Sequence, residues 1–383
     1  MIYRDIQFYD VLGQALGNND YQTFVDDLFA QKYNRPQFTD SFNWGSAQID
    51  LTYEQIEATV NVHSMATITN LDSPAPLRAT SGATLATGSI PRMKHGFVIN
   101  EKEIRSQMLI AQRGGKISGR ALLDILFNST DQLIGGNYNR LTEMALKAES
   151  TGGYILNAAN NPDGIPLQFN FNVPLANKLK AGFLVGGKGT KYAWSNASAN
   201  PIGDLMDMVT LARTKFISAG VFRMSEVLWN VFINHPNVKT QVLSTLQYSL
   251  PESLTSVVIM EDDVLRVLKG LRLPPIQVVD AIVSNEKYNE ATGLMEYTQI
   301  RPFDDDVVVL RPSGIIGEVK CAEPIVVPDP AARIAMFDGG RTVLTQTFDG
   351  RKKIQYIESE LTALPVLNRP SQMLLLDTSE ATA

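Results

Sequence analysis

The sequence is poor in the residue types that most often carry catalysis or metal binding. Its 383 residues include one cysteine, Cys321, and three histidines, His63, His95 and His235. A single cysteine excludes an internal disulfide framework and a cysteine-based metal site. None of the histidines belongs to an H-x-x-H, H-E-x-x-H or H-x-E pattern. We therefore expect each to be a surface or turn histidine, and neither a metal ligand nor a base.

The chain also lacks a basic excess and long hydrophobic runs. Its net charge is −6, with 44% hydrophobic and 19% charged residues, which is an ordinary globular composition. Proteins that grip DNA or RNA normally carry an excess of positive charge. The apolar runs, such as VVVL at 307–310, are far shorter than the roughly 20 residues that span a bilayer. The first ten residues contain Arg4, Asp5 and Asp10, which does not fit a signal peptide. We expect a soluble protein that is made in the cytoplasm and has no membrane partner.

The nearest approach to a nucleotide-binding motif is GFLVGGKGT at 182–190. A phosphate-binding loop needs a hydroxyl after its lysine and a helix that begins there. Gly189 stands at the hydroxyl position, and the following residues, TKYAWSNASANP, have no helical apolar period. The stretch therefore predicts a glycine-rich turn in which Lys188 is solvated, and no nucleotide cofactor.

Acidic residues cluster at three places: Asp26-Asp27, Glu261-Asp262-Asp263 and Asp304-Asp305-Asp306. Carboxylate clusters can hold calcium or magnesium. The last two, however, directly precede a predicted helix and a predicted strand, where acidic residues favour helix N-termini or solvated turns. The sequence also has no G-x-S-x-G elbow and no G-x-G-x-x-G after a strand. We predict no catalytic, cofactor-binding or metal-binding residue, and no enzyme.

Two N-terminal stretches are unlike the rest of the chain. Within residues 1–60, DYQTFVDDLFAQKY places apolar residues at helical spacing, but nothing there indicates an independent domain, so we interpret this region as an arm. Residues 70–103 are rich in Ser, Thr, Ala, Gly and Pro and contain few large apolar residues. Such a long segment is functional or disordered in most proteins. We interpret it as a two-stranded projection that becomes ordered on a partner surface.

The remainder predicts an α+β protein with mostly antiparallel sheet. Residues 118–150 keep a 3.6-residue apolar period, with Ser118 as N-cap, a bend at Gly135-Gly136 and a stop at Gly152-Gly153. Further predictions are a helix from Pro201 to Gly220, a buried strand in SEVLWNVFIN and a helix opened by Pro236. Two strands joined by a turn at Gly293, a strand in DDDVVVLRP and closing strands to the C-terminus complete the chain.

The order of these segments resembles the HK97-type fold of tailed-phage major capsid proteins, and within it the phage lambda major capsid protein (major capsid protein E) family. Four stretches, together with the order of segments, carry the resemblance: GSIPRMKHGFVINEKE, NRLTEMALKAESTGGYILNA, YAWSNASANPIGDLMDM, and VLWNVFINHPNVKTQV with the segment 278–310.

The resemblance implies a division of the chain into an N-terminal arm (1–60), an extended loop (61–112), a peripheral domain with a spine helix (113–200), an axial domain (201–315) and closing strands of both domains (316–383). It implies hexamers and pentamers that assemble in the host cytoplasm into an icosahedral phage head around double-stranded DNA, without specific DNA binding. The implied partners are other copies of the chain, a portal, a separate scaffolding protein and an optional decoration protein.

Two departures and two alternatives stay open from the sequence. Some relatives carry a long N-terminal scaffolding segment, whereas only some 60 residues precede the loop here. Other shells crosslink a loop lysine to an asparagine, for which Lys94 or Lys102 with Asn368 would be the candidates. An encapsulin-like compartment shares the same fold. A nucleotide-dependent enzyme or hydrolase using Lys188 and the acidic clusters is the remaining alternative.

Overall fold

The computed structural model describes residues 37–58, 83–102, 105, 119–157, 160–161, 164–184, 187–246, 258–289, 294–326, 332–349 and 354–381. The strands are β1 Phe42–Gln48, β2 Thr52–Ala58, β3 Ala83–Ser89, β4 Arg92–Ile99, β5 Gly153–Leu156, β6 Leu167–Asn170, β7 Lys178–Ala181, β8 Val221–Ser225, β9 Ile276–Val279, β10 Val283–Asn289, β11 Leu294–Ile300, β12 Val307–Arg311, β13 Gly317–Ala322, β14 Ala332–Phe337, β15 Thr342–Asp349, β16 Ile354–Leu367 and β17 Leu374–Ala381. The α-helices are α1 Gly119–Thr151, α2 Pro201–Thr214, α3 Glu226–Asn234, α4 Pro236–Thr245 and α5 Glu261–Gly270. This is the predicted α+β class, and most strand pairs among these residues are antiparallel.

The larger sheet has six strands in the order β1-β13-β16-β15-β14, with β4 also paired to β16. The 14-residue β16 is its longest strand, and β4 runs antiparallel to it from Arg92↔Thr362 to Ile99↔Gln355. Helix α1 packs across β16 and β4. The first hydrophobic core lies between this helix and the sheet, and it includes Phe38 and Phe42, both fully buried.

The smaller sheet has five strands in the order β7-β17-β12-β8-β9. Successive side chains of a strand point to opposite faces, and β12 shows this directly. Val308 and Leu310 lie in the second core with helices α2 to α5, whereas Val309 lies in the first core. The five-stranded sheet therefore separates two cores, which places the helix α1 side and the four-helix side on its opposite faces.

Helix boundaries test the sequence predictions most sharply. Helix α1 begins and ends within one residue of the prediction, and Gly152 follows it with φ +77°, the left-handed conformation that glycine adopts most easily. Ser118 lies outside the described residues, and the bend at Gly135-Gly136 stays a prediction. None of the helices in the described part of the chain is long and apolar enough to cross a membrane.

Two helix predictions were wrong. The stretch SEVLWNVFIN forms helix α3 and not a strand, because the Ser225 side chain accepts the backbone N–H of Leu228 as an N-cap. Helix α2 ends at Thr214 and not at Gly220, and Phe216 follows with φ +56°. Gly220 instead allows close approach, since a Cβ there would lie 2.2 Å from the backbone nitrogen of Ser313. Helix α4 begins at Pro236 as predicted.

The predicted strands are otherwise confirmed. The segment before residue 301 contains β9 in addition to the predicted pair β10 and β11. The turn at Gly293 and the helix predicted near Phe24 lie outside the described residues.

Candidate functional site

A two-stranded ribbon pairs β3, in the predicted projection (70–103), with β2, which lies in the predicted arm (1–60). β2 and β3 pair antiparallel from Thr52↔Ser89 to Ala58↔Ala83. Tyr53 is buried at the base, and Gly88 makes room for its ring, because a Cβ at Gly88 would lie 2.7 Å from Tyr53 Cε1. The rest of the predicted loop, residues 59–82, lies outside the described residues. The ribbon thus leaves the body of the protein at a packed, well-defined point.

The returning limb of the projection, β4, is held by both the large sheet and helix α1. His95 on β4 packs against Gly136 of the helix so closely that a Cβ there would lie 2.4 Å from His95 Nδ1. Burial lowers the pKa of His95, and the Glu286 carboxylate opposes that shift. The prediction of a surface or turn histidine was therefore wrong for His95, which lies half-buried in a strand.

The predicted crosslinking residues lie on or near this limb and at the end of β16. Lys94 Nζ lies 3.1 Å from Glu360 Oε2 of the same chain, and Arg92 Nε lies 3.5 Å from Glu360 Oε1. Lys102 and Asn368 are exposed. Crosslinking stays an open possibility for which these residues are only candidates.

A buried charge cluster joins helix α1 to one face of the five-stranded sheet. Glu149, near the end of helix α1, is 0% exposed. Its Oε1 accepts Arg311 Nε at 2.7 Å, and its Oε2 accepts Arg223 Nη1 and Ser41 Oγ, each at 3.1 Å. The Ser41 hydroxyl also accepts from both guanidinium groups. Four residues that are far apart in sequence therefore meet in one hydrogen-bonded cluster.

Strand alternation explains why both arginines face the helix. Arg223 of β8 pairs directly with Val309 of β12, and Val309 and Arg311 are two residues apart, so all three share one face. Arg311 Nη1 also donates to the carbonyl oxygens of Pro312 at 2.9 Å and Gly314 at 2.7 Å. Burial lowers the pKa of Arg311, with the Glu149 carboxylate opposing that shift. Glu149 is the carboxylate that both cations bind directly, and the Asp40 carboxylate also attracts Arg311.

The sequence analysis missed this cluster. The available signal was an arginine inside each of two otherwise apolar strands, VFRMS and VVVLR. Charged residues are almost never fully buried unless they are paired. An arginine in such a strand therefore predicts a buried carboxylate partner, although the strand pattern does not identify that partner.

The described residues of the glycine-rich stretch, 182–184 and 187–190, form the predicted turn, and Lys188 is exposed. Its backbone N–H groups are already bound: Lys188 N donates to Asp207 Oδ1 at 2.9 Å, and Gly189 N donates to Asp207 Oδ2 at 2.8 Å. A phosphate would need these same donors. The protein's own carboxylate therefore occupies the place that a nucleotide phosphate would take.

A second carboxylate of helix α2, Asp204, supports the same turn from beneath. Asp204 Oδ2 accepts Trp194 Nε1 at 2.8 Å, and Oδ1 accepts the Gly182 N–H at 3.3 Å. Burial raises the pKa of Asp204 to about 6, against these hydrogen bonds. The two aspartates thus tie the turn to the start of helix α2.

The remaining candidates have structural roles. The first turn of helix α5 contains Glu261, Asp262 and Asp263, as predicted. Negative charges there interact favourably with the positive end of the helix dipole. Asp304 lies in a turn before β12 and pairs with Lys147 at 3.1 Å. Within the described residues no group of three or more His, Cys, Asp or Glu side chains could hold a metal ion. Asp26, Asp27 and His63 lie outside those residues.

His235 occupies a helix-capping position. It is buried, its Nδ1 accepts the Asn237 N–H at 3.3 Å, and its Nε2 lies 3.0 Å from the Asn196 carbonyl oxygen. It is a turn histidine as predicted, but not a surface one.

A known protein family matches much of this sequence. A family model described as phage major capsid protein E matches residues 26–270, which is more than half of the chain. No curated protein matches the sequence.

Solved structures align with nearly the whole chain at low identity. A phage-related protein from Bordetella bronchiseptica RB50 is 12% identical, covers 94% of this chain and 98% of its own, and has a TM-score of 0.44. The capsid of Myoviridae phage XM1 is 10% identical, with 88% and 90% covered and a TM-score of 0.41. A virus-like particle from Pyrococcus furiosus is 10% identical, with 97% and 100% covered and a TM-score of 0.39. TM-scores below 0.5 are too low to carry a functional argument.

Proposed function

The chain belongs to the phage major capsid protein E family, and from this premise we propose that it assembles into the hexamers and pentamers of an icosahedral phage head around double-stranded DNA. It is a structural capsid subunit and not an enzyme. The observation that carries the function is the family match over residues 26–270. The packing of the ribbon and of its returning limb supports the proposed mode of assembly.

We propose the following correspondence between the predicted domains and the observed helices and sheets. The HK97-type arrangement assigns helix α1 and the six-stranded sheet to the peripheral domain, and helices α2 to α5 with the five-stranded sheet to the axial domain. The proposed extended loop, residues 61–112, includes β3 and β4. The proposed arm, residues 1–60, includes β1 and β2, and its Phe38 and Phe42 contribute to the first core.

The ribbon supports a role in contact between subunits. A two-stranded hairpin has little independent stability in water, and two large apolar side chains at its base, Ile49 and Leu51, are 87% and 56% exposed. Exposed apolar surface next to a projecting ribbon is typical of an interface. The surface of a neighbouring copy would cover these residues and hold the ribbon in the shell.

We propose the remaining partners from family membership alone. A separate scaffolding protein, a portal and an optional decoration protein complete the particle, and assembly takes place in the host cytoplasm. The net charge of −6 fits a wall that encloses DNA without gripping it, since like charge repels phosphate.

The test is negative-stain electron microscopy and sedimentation of the full chain, expressed alone and with its scaffolding protein. We expect shells, tubes or rings of five or six subunits. Shells that are empty or contain only the scaffolding protein support a phage head, whereas a different enclosed cargo protein would support a compartment. A monodisperse monomer under both conditions would contradict the assembly proposal.

The register of the ribbon provides a matched control. Because Ala58 pairs with Ala83, an Asn-Gly turn can replace residues 59–82 and close the hairpin with a two-residue loop. This closed-loop variant should keep its melting temperature and form no shells. Complete shells of normal size from the variant would refute the proposed role of the loop.

A further inference from the structure

A cleft beside the end of helix α1 has an unusual charge for this chain. Its volume is about 440 Å³, and it lies between the helix end, the hairpin β5–β6 and residues 300–302. Its charged lining residues are Glu143, Lys147, Lys178 and Arg301. Three cations against one carboxylate contrast with a net charge of −6 for the whole chain.

The paired charges of the cleft account for only part of this excess. Glu143 is bound by Arg140 of the same helix, and Lys147 is bound by Asp304. Within the described part of the chain, Lys178 and Arg301 have no carboxylate partner. The cleft therefore presents two uncompensated cations, which suit a ligand with two negative charges.

The neutral lining adds a second requirement. Met144, Ile155, Phe169 and Pro302 line the cleft as apolar surface. Tyr154 also lines it and is only 6% exposed, yet its hydroxyl has no hydrogen-bond partner among the residues that the structure describes. An occupant that combines apolar side chains with carboxylates would cover the apolar surface, neutralise the cations and accept from the tyrosine.

One segment of this chain has that composition. Residues 24–29 read FVDDLF, with Asp26 and Asp27 between two pairs of apolar residues. We propose that this segment of the N-terminal arm docks in the cleft of its own chain, with its carboxylates at Lys178 and Arg301 and its apolar side chains against Met144 and Phe169.

The length of the arm permits this arrangement. The described chain begins beside helix α1, where Phe38 stacks on Tyr138 with ring centroids 6.1 Å apart. At 100° per residue, Lys147 lies on the opposite side of the helix, so the arm must pass half-way around a cylinder about 10–12 Å across. Half of that circumference is at most about 19 Å, and the nine residues from Tyr138 to Lys147 add about 14 Å along the axis, which gives a path of about 23 Å. The eight residues 30–37 span up to about 26–29 Å when extended, so the proposal requires the helix predicted near Phe24 to end by Phe29.

Disulfide trapping in the full-length protein tests the proposal. Thr23→Cys with Gln168→Cys places one thiol beside the FVDDLF segment and one on the cleft wall. We expect an intramolecular disulfide, seen as a faster monomer band without reductant and as a mass two daltons lower. Cys321 does not compete, because it is fully buried and burial raises its thiol pKa to about 11.

Two controls make the result specific. Thr23→Cys with Asn230→Cys, an exposed position on helix α3, should close at least tenfold more slowly. In the protein with Thr23→Cys and Gln168→Cys, adding Lys178→Glu and Arg301→Glu should also slow disulfide closure at least tenfold. Adding Asp26→Lys and Asp27→Lys to that protein should restore the rate of closure. Both reversed positions on the cleft are exposed, and unchanged melting curves would confirm that these variants fold.

Three results would overturn the proposal. These are closure no faster than the Asn230 control, closure unaffected by charge reversal, and disulfide-linked dimers in place of closed monomers. The last would mean that a second copy's arm fills the cleft. The test needs no assembled shell, so its failure would leave the capsid assignment intact.

Discussion

Glu149→Gln tests whether the buried charge cluster holds helix α1 against the five-stranded sheet. The substitution keeps the shape of the side chain but removes the carboxylate that binds both Arg223 and Arg311, whose side chains are 8% and 2% exposed. Breaking a buried ion pair by removing one partner costs about 3–5 kcal/mol, because the other charge stays buried without compensation. At about 2–4 °C per kcal/mol for large domains, the melting temperature should fall by roughly 10 °C.

The assay is thermal unfolding followed by circular dichroism, with Glu380→Gln as the matched control. Glu380 pairs with Lys180 across side chains that are more than half exposed, so its loss should cost less than about 1 kcal/mol. Adding Arg223→Met to Glu149→Gln removes one uncompensated cation and should recover part of the loss, which a double-mutant cycle measures. Equal melting temperatures for Glu149→Gln and Glu380→Gln would refute the role assigned to the cluster.

Three further predictions concern helix α2, the β4–helix contact and the glycine-rich turn. The folded-state pKa of Asp204 is raised to about 6 from 3.8, so the native state binds more protons than the unfolded state between these pH values. The contribution of Asp204 to stability should therefore grow by about 2–3 kcal/mol as the pH falls from 7 to 4. Asp204→Asn should abolish this part of the pH dependence, and equal pH profiles of urea unfolding for both proteins would contradict the prediction. Gly136→Ala should destabilise the protein by about 1–3 kcal/mol through overpacking against His95, although alanine itself favours a helix. Adding His95→Ala should restore the lost stability. A Gly136→Ala protein that melts at a higher temperature than the wild type would disprove the contact. ATP with magnesium should leave the melting temperature unchanged, because Asp207 already occupies the turn's N–H groups, and a shift that Lys188→Ala removes would reopen the nucleotide hypothesis.

Much of the fold could be predicted because its signals are local. Helix α1 has a clear apolar period and a glycine stop, and β12 is a strongly apolar run. Helix α3 was mistaken for a strand since VLWNVFIN is apolar nearly throughout, and a short apolar run has no diagnostic period. Its decisive signal was the capping serine, Ser225, directly before Glu226.

The functional features depended on long-range packing and could not be read in the same way. Glu149 lies 74 positions from Arg223 and 162 from Arg311, so no spacing rule connects them. Likewise, the tight packing of Gly136 against His95 becomes visible only when β4 pairs with β16.

The pairing of β1 with β13 has a consequence for the timing of synthesis. Phe42 pairs with Gly317, about 275 positions later, and ribosomes add about 5–20 residues per second. β1 therefore waits about 15–55 s for its partner strand to be made, and β4 waits similarly for β16. A growing chain on the ribosome cannot complete the large sheet or fix the base of its projecting loop. Competence to join a shell thus arises only when translation is nearly finished, which keeps unfinished chains out of the particle.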